Sequence, residues 1–309
     1  FRELSVQTAL QLLSMWLKER TIQNQSEHTI TAYQRDLTDF FKFCENKQLQ
    51  LHDVEASDLR EYLAERVECD QLSSSSLQRH LTSIRQFMKW AEQGQYLQQN
   101  PSEDFKLKRQ PRPLPGMIDI ETINQILDQP APEKPIEQQL WSRDRAMLEL
   151  LYSSGLRLAE LQGLTVKDID FNRQLLRITG KGNKTRIVPF GTKAKQSLVE
   201  WLKIYRIWQG GFVADSAVFI SQKGNALTPR QIENRVKLHA QRAGISVDLH
   251  PHLLRHCFAS HLLSASGDLR AIQEMLGHSN LSTTQIYTHL DFEQLMNVYD
   301  KSHPRAQKS

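Results

Sequence analysis

Apolar residues recur every three or four positions in four stretches of the first hundred residues. This spacing predicts helices at approximately Val6–Arg20, Thr29–Asn46, Ala56–Cys69 and Ser75–Gln93. The last pattern is the clearest. Leu77, Leu81, Ile84, Met88 and Ala91 form one stripe, and the serine run at residues 73–76 offers a cap. The opposite side reads as Arg79, His80, Arg85 and Lys89. Four such helices make a small bundle, which says little about function by itself.

The pattern breaks at "KLKRQPRPLPG", Lys106 to Gly116, with three prolines and four basic residues. Proline ends helices and extends the residue before it. Two domains follow from this break: residues 1–107, a basic linker at 108–116, and residues 117–309. Lys108, Arg109 and Arg112 are placed to follow a nucleic-acid backbone.

Beyond the linker the periodicity is mostly helical, with one strand island. "LLRITGKGNKTRIVPF", Leu175 to Phe190, reads as two strands joined by a glycine-rich turn. Lys181, Lys184 and Arg186 fall at or near its tip. A third strand is expected at "AVFIS", residues 217–221. Helices are expected at Lys193–Trp208, Pro229–Ala243, Pro251–Ser264, Leu269–Leu276, Thr283–Leu290 and Glu293–Tyr299. The fold class is therefore mainly α in two domains, the second mixed α+β with a small antiparallel sheet.

Composition narrows the classes. The chain has 309 residues, 39% of them hydrophobic, enough for two sizeable cores. No run approaches the roughly 18 apolar residues of a membrane span, and the N-terminal stretch lacks the apolar core of a signal peptide. Cys44, Cys69 and Cys257 are scattered, so a reducing cytoplasm is expected, with no disulfide framework and no zinc ribbon. Residues 1–107 hold 12 Lys+Arg against 16 Asp+Glu, net −4. Residues 108–309 hold 27 against 19, net +8. The basic excess lies where a phosphate-binding domain would need it.

Three stretches could carry chemistry. "SSGLRLAEL" sets Arg157 after a helix-ending glycine, with Glu160 three residues on; taken alone this is a surface ion pair. "LHPHLLRHCFASHLL" puts His252 and Arg255 near a helix N-terminus, a good phosphate site. His256 and His261 fall nearer the packed side, as core histidines. No metal is expected, because the H-E-x-x-H pattern is absent and no carboxylate or cysteine has a matching spacing. "GHSNLSTTQIYTHLD" opens a helix at Ser282, with Gln285 completing a capping box and Leu281 stapling onto Ile286. Tyr287 lies about 100° from Ile286, at the edge of the buried stripe. Taken alone, it reads as a rim tyrosine with a wet tip.

The joint order is more specific than any piece: G-L-R-x-x-E, G-K-G in a hairpin turn, H-x-L-R-H, L-G-H, then a tyrosine nine residues after that histidine. With these motifs the chain resembles the tyrosine recombinase/integrase family. Its ending, "LGHSNLSTTQIYTHLDFEQLMNVYDKSHPRA", looks like the XerC type of chromosome-dimer resolvase. The resemblance covers almost the whole chain. One departure is Cys257, where the family commonly has Ser or Thr; it is beside the motif, not in it.

The resemblance implies a SAM-like core-binding domain followed by a tyrosine recombinase catalytic domain. It implies site-specific DNA cutting and rejoining through a 3′-phosphotyrosyl link on Tyr287. Arg157, Arg255 and His278 would then hold the scissile phosphate. His252 would take the phenolic proton, Lys181 would protonate the leaving 5′-oxygen, and Glu160 would orient its neighbours. Lys184 and Arg186, with the linker cations and Arg79, Arg85 and Lys89, are expected on the DNA backbone or bases. No cofactor is implied: no Walker loop is present, and the covalent link conserves the bond energy. The implied partners are double-stranded DNA with a dif-type site, a sister recombinase of XerD type in a heterotetrameric synapse, and a septal DNA translocase of FtsK type. The implied location is cytoplasmic, on the nucleoid. An XerD-type or phage- or integron-type integrase remains an alternative, as does a type IB topoisomerase, which shares the chemistry and differs in outcome. The last segment carries Phe292, Leu295, Met296 and Tyr299 at helical spacing, stopped by Pro304, with a polar and basic remainder. Its helix is too short to stand alone and must dock, in cis or on a neighbour.

Overall fold

The computed structural model describes residues 6–103, 105, 117–180, 185–211, 213–277, 296 and 298–306. The chain divides into two compact units, Phe1–Arg112 and Pro113–Ser309.

The first unit contains α1 (Val6–Ile22), α2 (Glu27–Asn46), α3 (Ala56–Asp70) and α4 (Ser74–Gln93). These match the four expected helices to within two residues at each end. Ser26 and Ser73 cap α2 and α4 by accepting the N–H groups of Thr29 and Ser76. The core is aromatic. Trp16 meets Phe87 edge to face at 5.7 Å, and Phe40 meets Tyr62 at 5.2 Å. His80 departs from expectation. It is buried, and its Nδ1 lies 2.9 Å from the Tyr62 hydroxyl.

The second unit opens with α5 (Ile120–Leu127), α6 (Pro135–Ser154) and α7 (Leu158–Gln162). Next come β1 (Ile169–Asp170), β2 (Leu175–Thr179) and β3 (Thr185–Pro189), then α8 (Thr192–Gln209), α9 (Pro229–Arg242), α10 (Pro251–Ser266) and α11 (Leu269–Leu276). Helix α6 is the axle: α5, α7, α8, α9 and α10 all pack on it. It is buried continuously from Ala146 to Ser154, so no amphipathic stripe marks it.

The strands form an antiparallel sheet in the order β1-β2-β3. Leu176 pairs with Val188 and Ile178 with Arg186. The hairpin is as expected, but the third strand is β1 and not residues 217–221. Ala217 and Ile220 make only isolated bridges, to Thr165 and Ala226. Val218 donates to Leu164 O, whereas Phe219 O accepts from Leu227. The backbone pairs with different segments at its two ends, so no ladder runs through. Val218, Phe219 and Ile220 are all buried and plug the core.

The end of the chain is anchored in this unit. Residues 298–302 are helical. Tyr299 stacks on His303 at 5.0 Å, and His303 lies 5.1 Å from the ring of Tyr152. Arg305, read from sequence as part of a polar remainder, is buried. Its guanidinium reaches Glu149 on α6, Asp128 and, at 2.8 Å, Asn124 on α5. Gly191 admits this packing, since a Cβ there would lie 2.2 Å from Arg305 O. The expected helix at Thr283–Leu290 lies outside the described residues. No helix among the described residues is long and apolar enough to cross a membrane.

Burial pushes the His303 imidazole down to about 3, against about 6.5 in an unfolded chain. Above the unfolded value neither state binds the proton. As pH falls below it, the unfolded chain is protonated first and stability is lost progressively toward the folded value. Lowering the pH to about 5 should therefore cost about 2 kcal/mol through this residue. Urea unfolding at neutral and acid pH should show His303→Gln losing that share of the dependence. An unaltered pH slope in the variant would contradict the assignment.

Candidate active site

The site begins at a glycine. Gly155 ends α6 with φ at +58°, and a Cβ there would lie 2.4 Å from the Phe258 ring. Only glycine fits both demands, and the tight exit delivers Arg157 to the start of α7. Glu160, one turn on, accepts the Arg157 backbone N–H at 2.8 Å and its guanidinium at 2.9 Å. The capping carboxylate also favours the helix N-terminus electrostatically.

Arg255 comes from the second turn of α10 and is buried. It donates to Gly155 O and, at 2.7 Å, to Leu276 O. These carbonyls belong to the C-terminal ends of α6 and α11, the negative poles of two helices. Its guanidinium lies 3.9 Å from Glu160. Burial, then the charge of Arg157, lowers Arg255 to about 10, which leaves it a cation at neutral pH. Arg157 is the open member of the pair, with a side chain 47% exposed.

Glu160 thus faces Arg157, Arg186 and Arg255. Burial opposes its charge, but the Arg186 fork, the Arg157 N–H and the surrounding cations hold it at about 2. Arg186 was expected on DNA. Instead its side chain, 12% exposed, donates to both Glu160 oxygens at 2.7 and 2.9 Å. Strand alternation carried that signal, because Arg186 lies two residues before the buried Val188 and shares its face.

His252 is exposed on the first turn of α10, its ring parallel to that of His250 at 6.4 Å. His250 caps the helix by accepting the Leu253 N–H at 3.1 Å. His261 is a core histidine, with Nδ1 2.9 Å from the Tyr152 hydroxyl. His256 is not: it is exposed. Lys181, Lys184, His278 and Tyr287 lie outside the described residues, as do Lys108, Arg109 and Arg112.

The cations expected on the free side of α4 are rearranged. Arg79 is committed to the buried Asp36, and Arg85 to the carbonyls of Ser102 and Phe105. Lys89 is exposed, and with Thr82, Gln86 and Gln93 it forms the open face of the helix. Ion pairs across a bundle have no local sequence signature, and periodicity placed these arginines only as "not apolar". Among the described residues no cluster could hold a metal ion.

Residues 117–294 match the phage integrase family model, and residues 13–95 match the phage integrase N-terminal SAM-like domain. The chain belongs to this family, the tyrosine site-specific recombinases. Within it the likeness is to the XerC type. The tyrosine recombinase XerC of Haemophilus influenzae (strain ATCC 51907 / DSM 11121 / KW20 / Rd) is 44% identical over 95% of this chain and 97% of its own. That of Pseudomonas syringae pv. tomato (strain ATCC BAA-871 / DC3000) is 42% identical over 94% of each. Among solved structures, XerH site-specific recombinase bound to a difH substrate is 25% identical. It aligns with a TM-score of 0.64 over 92% of this chain and 82% of that one. The Tn1549 transposon integrase on a circular intermediate DNA shares the fold, with a TM-score of 0.69 at 21% identity over 94% of each.

Removing the central anion should leave three guanidinium groups facing one another. Glu160→Gln should destabilise the second unit by about 3 kcal/mol, read as a lower urea midpoint. An unchanged midpoint would show that the arginines are held without it.

Proposed function

We propose that this recombinase resolves chromosome dimers at a dif-type site, acting with a sister recombinase of XerD type. The observation that carries the chemical part is the convergence of Arg157 and Arg255 on one carboxylate from distant parts of the chain. One head is open to solvent and the other is fixed by two helix ends. Two guanidiniums suit the non-bridging oxygens of a phosphodiester, since each is always charged and donates in a planar fork. The biological part rests on near full-length likeness to recombinases named XerC and on a relative solved on a difH substrate.

The mechanism assigned to these residues is a strand transfer. Tyr287 attacks the scissile phosphorus and the 5′-oxygen leaves, giving a 3′-phosphotyrosyl DNA and a free 5′-hydroxyl. A phenol of pKa about 10 is ionised to about one part in a thousand at neutral pH, a handicap of about 4 kcal/mol. His252 accepts the phenolic proton. Arg157, Arg255 and His278 stabilise the charge that accumulates on the five-coordinate phosphorus. Lys181 gives the leaving oxygen its proton. Rejoining reverses these steps with a different 5′-hydroxyl. The linker cations Lys108, Arg109 and Arg112, together with Lys184, bind phosphates. The open face of α4, with Thr82, Gln86, Lys89 and Gln93, replaces Arg79 and Arg85 as the candidate reader of base edges. A septal DNA translocase of FtsK type is the activating partner, and four protomers form the synapse. Within it the C-terminal segment passes to a neighbour.

Tyr287→Phe keeps the ring and removes the nucleophile. It should bind a nicked suicide substrate as the wild type does and form no adduct that survives a denaturing gel. A Phe variant that still traps DNA would unseat Tyr287.

Lys181→Ala should slow cleavage strongly on an ordinary substrate. A 5′-bridging sulfur should restore the rate, because a thiolate leaves without a proton. Equal defects on oxygen and sulfur substrates would remove Lys181 from the acid role.

A further inference from the structure

Among the described residues, Arg186 ties together three segments that carry the motifs. It stands on β3, five residues after Lys181 in the sequence. Its two terminal nitrogens fork onto Glu160, on the first turn of α7, at 2.7 and 2.9 Å. Its Nε donates to Met275 O, in the last turn of α11, at 3.0 Å. Its side chain also lies against Gly277, where a Cβ would fall 3.1 Å from Arg186 Cδ. Gly277 has φ at +66°, so a side chain there would meet both backbone strain and this guanidinium. Residue 278 follows directly.

Charge counting shows what this contact does. Arg157, Arg186 and Arg255 against Glu160 leave a cluster of net +2. Without Arg186 the cluster is +1, and the Glu160 carboxylate is free to draw the heads of Arg157 and Arg255 onto itself. A phosphate gaining charge in its transition state would then meet arginines already neutralised.

We propose that Arg186 is the positioning residue of this site. It neutralises Glu160 and fixes the end of α11, so that Arg157 and Arg255 keep their charge for a phosphodiester. This rests on the recombinase reading above.

Arg186→Met, Arg186→Lys and the double variant Glu160→Gln/Arg186→Met test it in the full chain. Three quantities are measured for each: the urea midpoint, affinity for a nicked duplex carrying the site, and single-turnover covalent trapping at saturating DNA. Arg186→Met should cleave on the order of 100-fold more slowly while affinity changes little. The double variant restores the net +2 and should cleave faster than Arg186→Met, a recovery that a purely structural role would not produce. Arg186→Lys keeps the charge but loses the fork, so it should fold as the wild type does and cleave about tenfold more slowly. It decides the matter if the Met variant does not fold. Wild-type cleavage by Arg186→Lys or Arg186→Met overturns the proposal. So does a double variant slower than Arg186→Met. A wild-type chain that never traps DNA overturns the recombinase reading, and this proposal with it.

Discussion

One buried carboxylate organises the catalytic unit. Glu160 is the counter-ion that lets three arginines from three elements approach one another. Without it their mutual repulsion would spread the site. With it the cost of desolvating several charges is offset by a closed set of charge-assisted hydrogen bonds. The same residue caps α7, so electrostatics and local helix structure are fixed by a single side chain. Sites that bind phosphate need positive charge in excess, and here one anion holds three cations without cancelling them.

The two helix ends around Arg255 extend this logic. The carbonyls of Gly155 and Leu276 face a guanidinium that lacks a full ionic partner of its own. Partial charges on unpaired carbonyls hold a cation in place without consuming its charge. A carboxylate in the same position would bind it more tightly and leave less for a substrate.

Much of this was legible in the sequence, and the failures have particular causes. Helices with one buried stripe, such as α4 and α9, were delimited by periodicity almost to the residue. The hairpin was legible because Gly180 and Gly182 interrupt two β-rich runs. Helix α6 was recognised only by its end, since a helix buried on all sides has no period to detect. Residues 217–221 have strand composition but serve as a core plug, which only tertiary hydrogen bonding decides. Arg157 and Arg255 stood out in the sequence by their contexts, and the fold brings both to Glu160. The contacts of Arg79, Arg85 and Arg186 were not legible, because a cation reads as exposed unless its partner is known: an acid 43 or 26 residues away for Arg79 and Arg186, and two backbone carbonyls for Arg85. His256 was assigned to the wrong side of α10, where a single step of about 100° separates buried from open positions.

The lodging of Arg305 carries a further consequence. Glu149 is fully buried, and Arg305 bonds both of its carboxylate oxygens. A socket lined by a charge of that kind cannot stand empty at neutral pH without a heavy desolvation cost. Water or an apolar segment would be a poor substitute for a guanidinium. In the exchange proposed above, the segment would act as a key whose withdrawal leaves a buried charge unpaired until another key of the same cut arrives. Among identical or sister chains, such a trade balances only when every lock is filled, and head-to-tail contacts achieve that when they close into a ring. With such an exchange, an open row would strand one unfilled carboxylate at its end, so the chemistry of a single buried pair would favour closed assemblies over filaments.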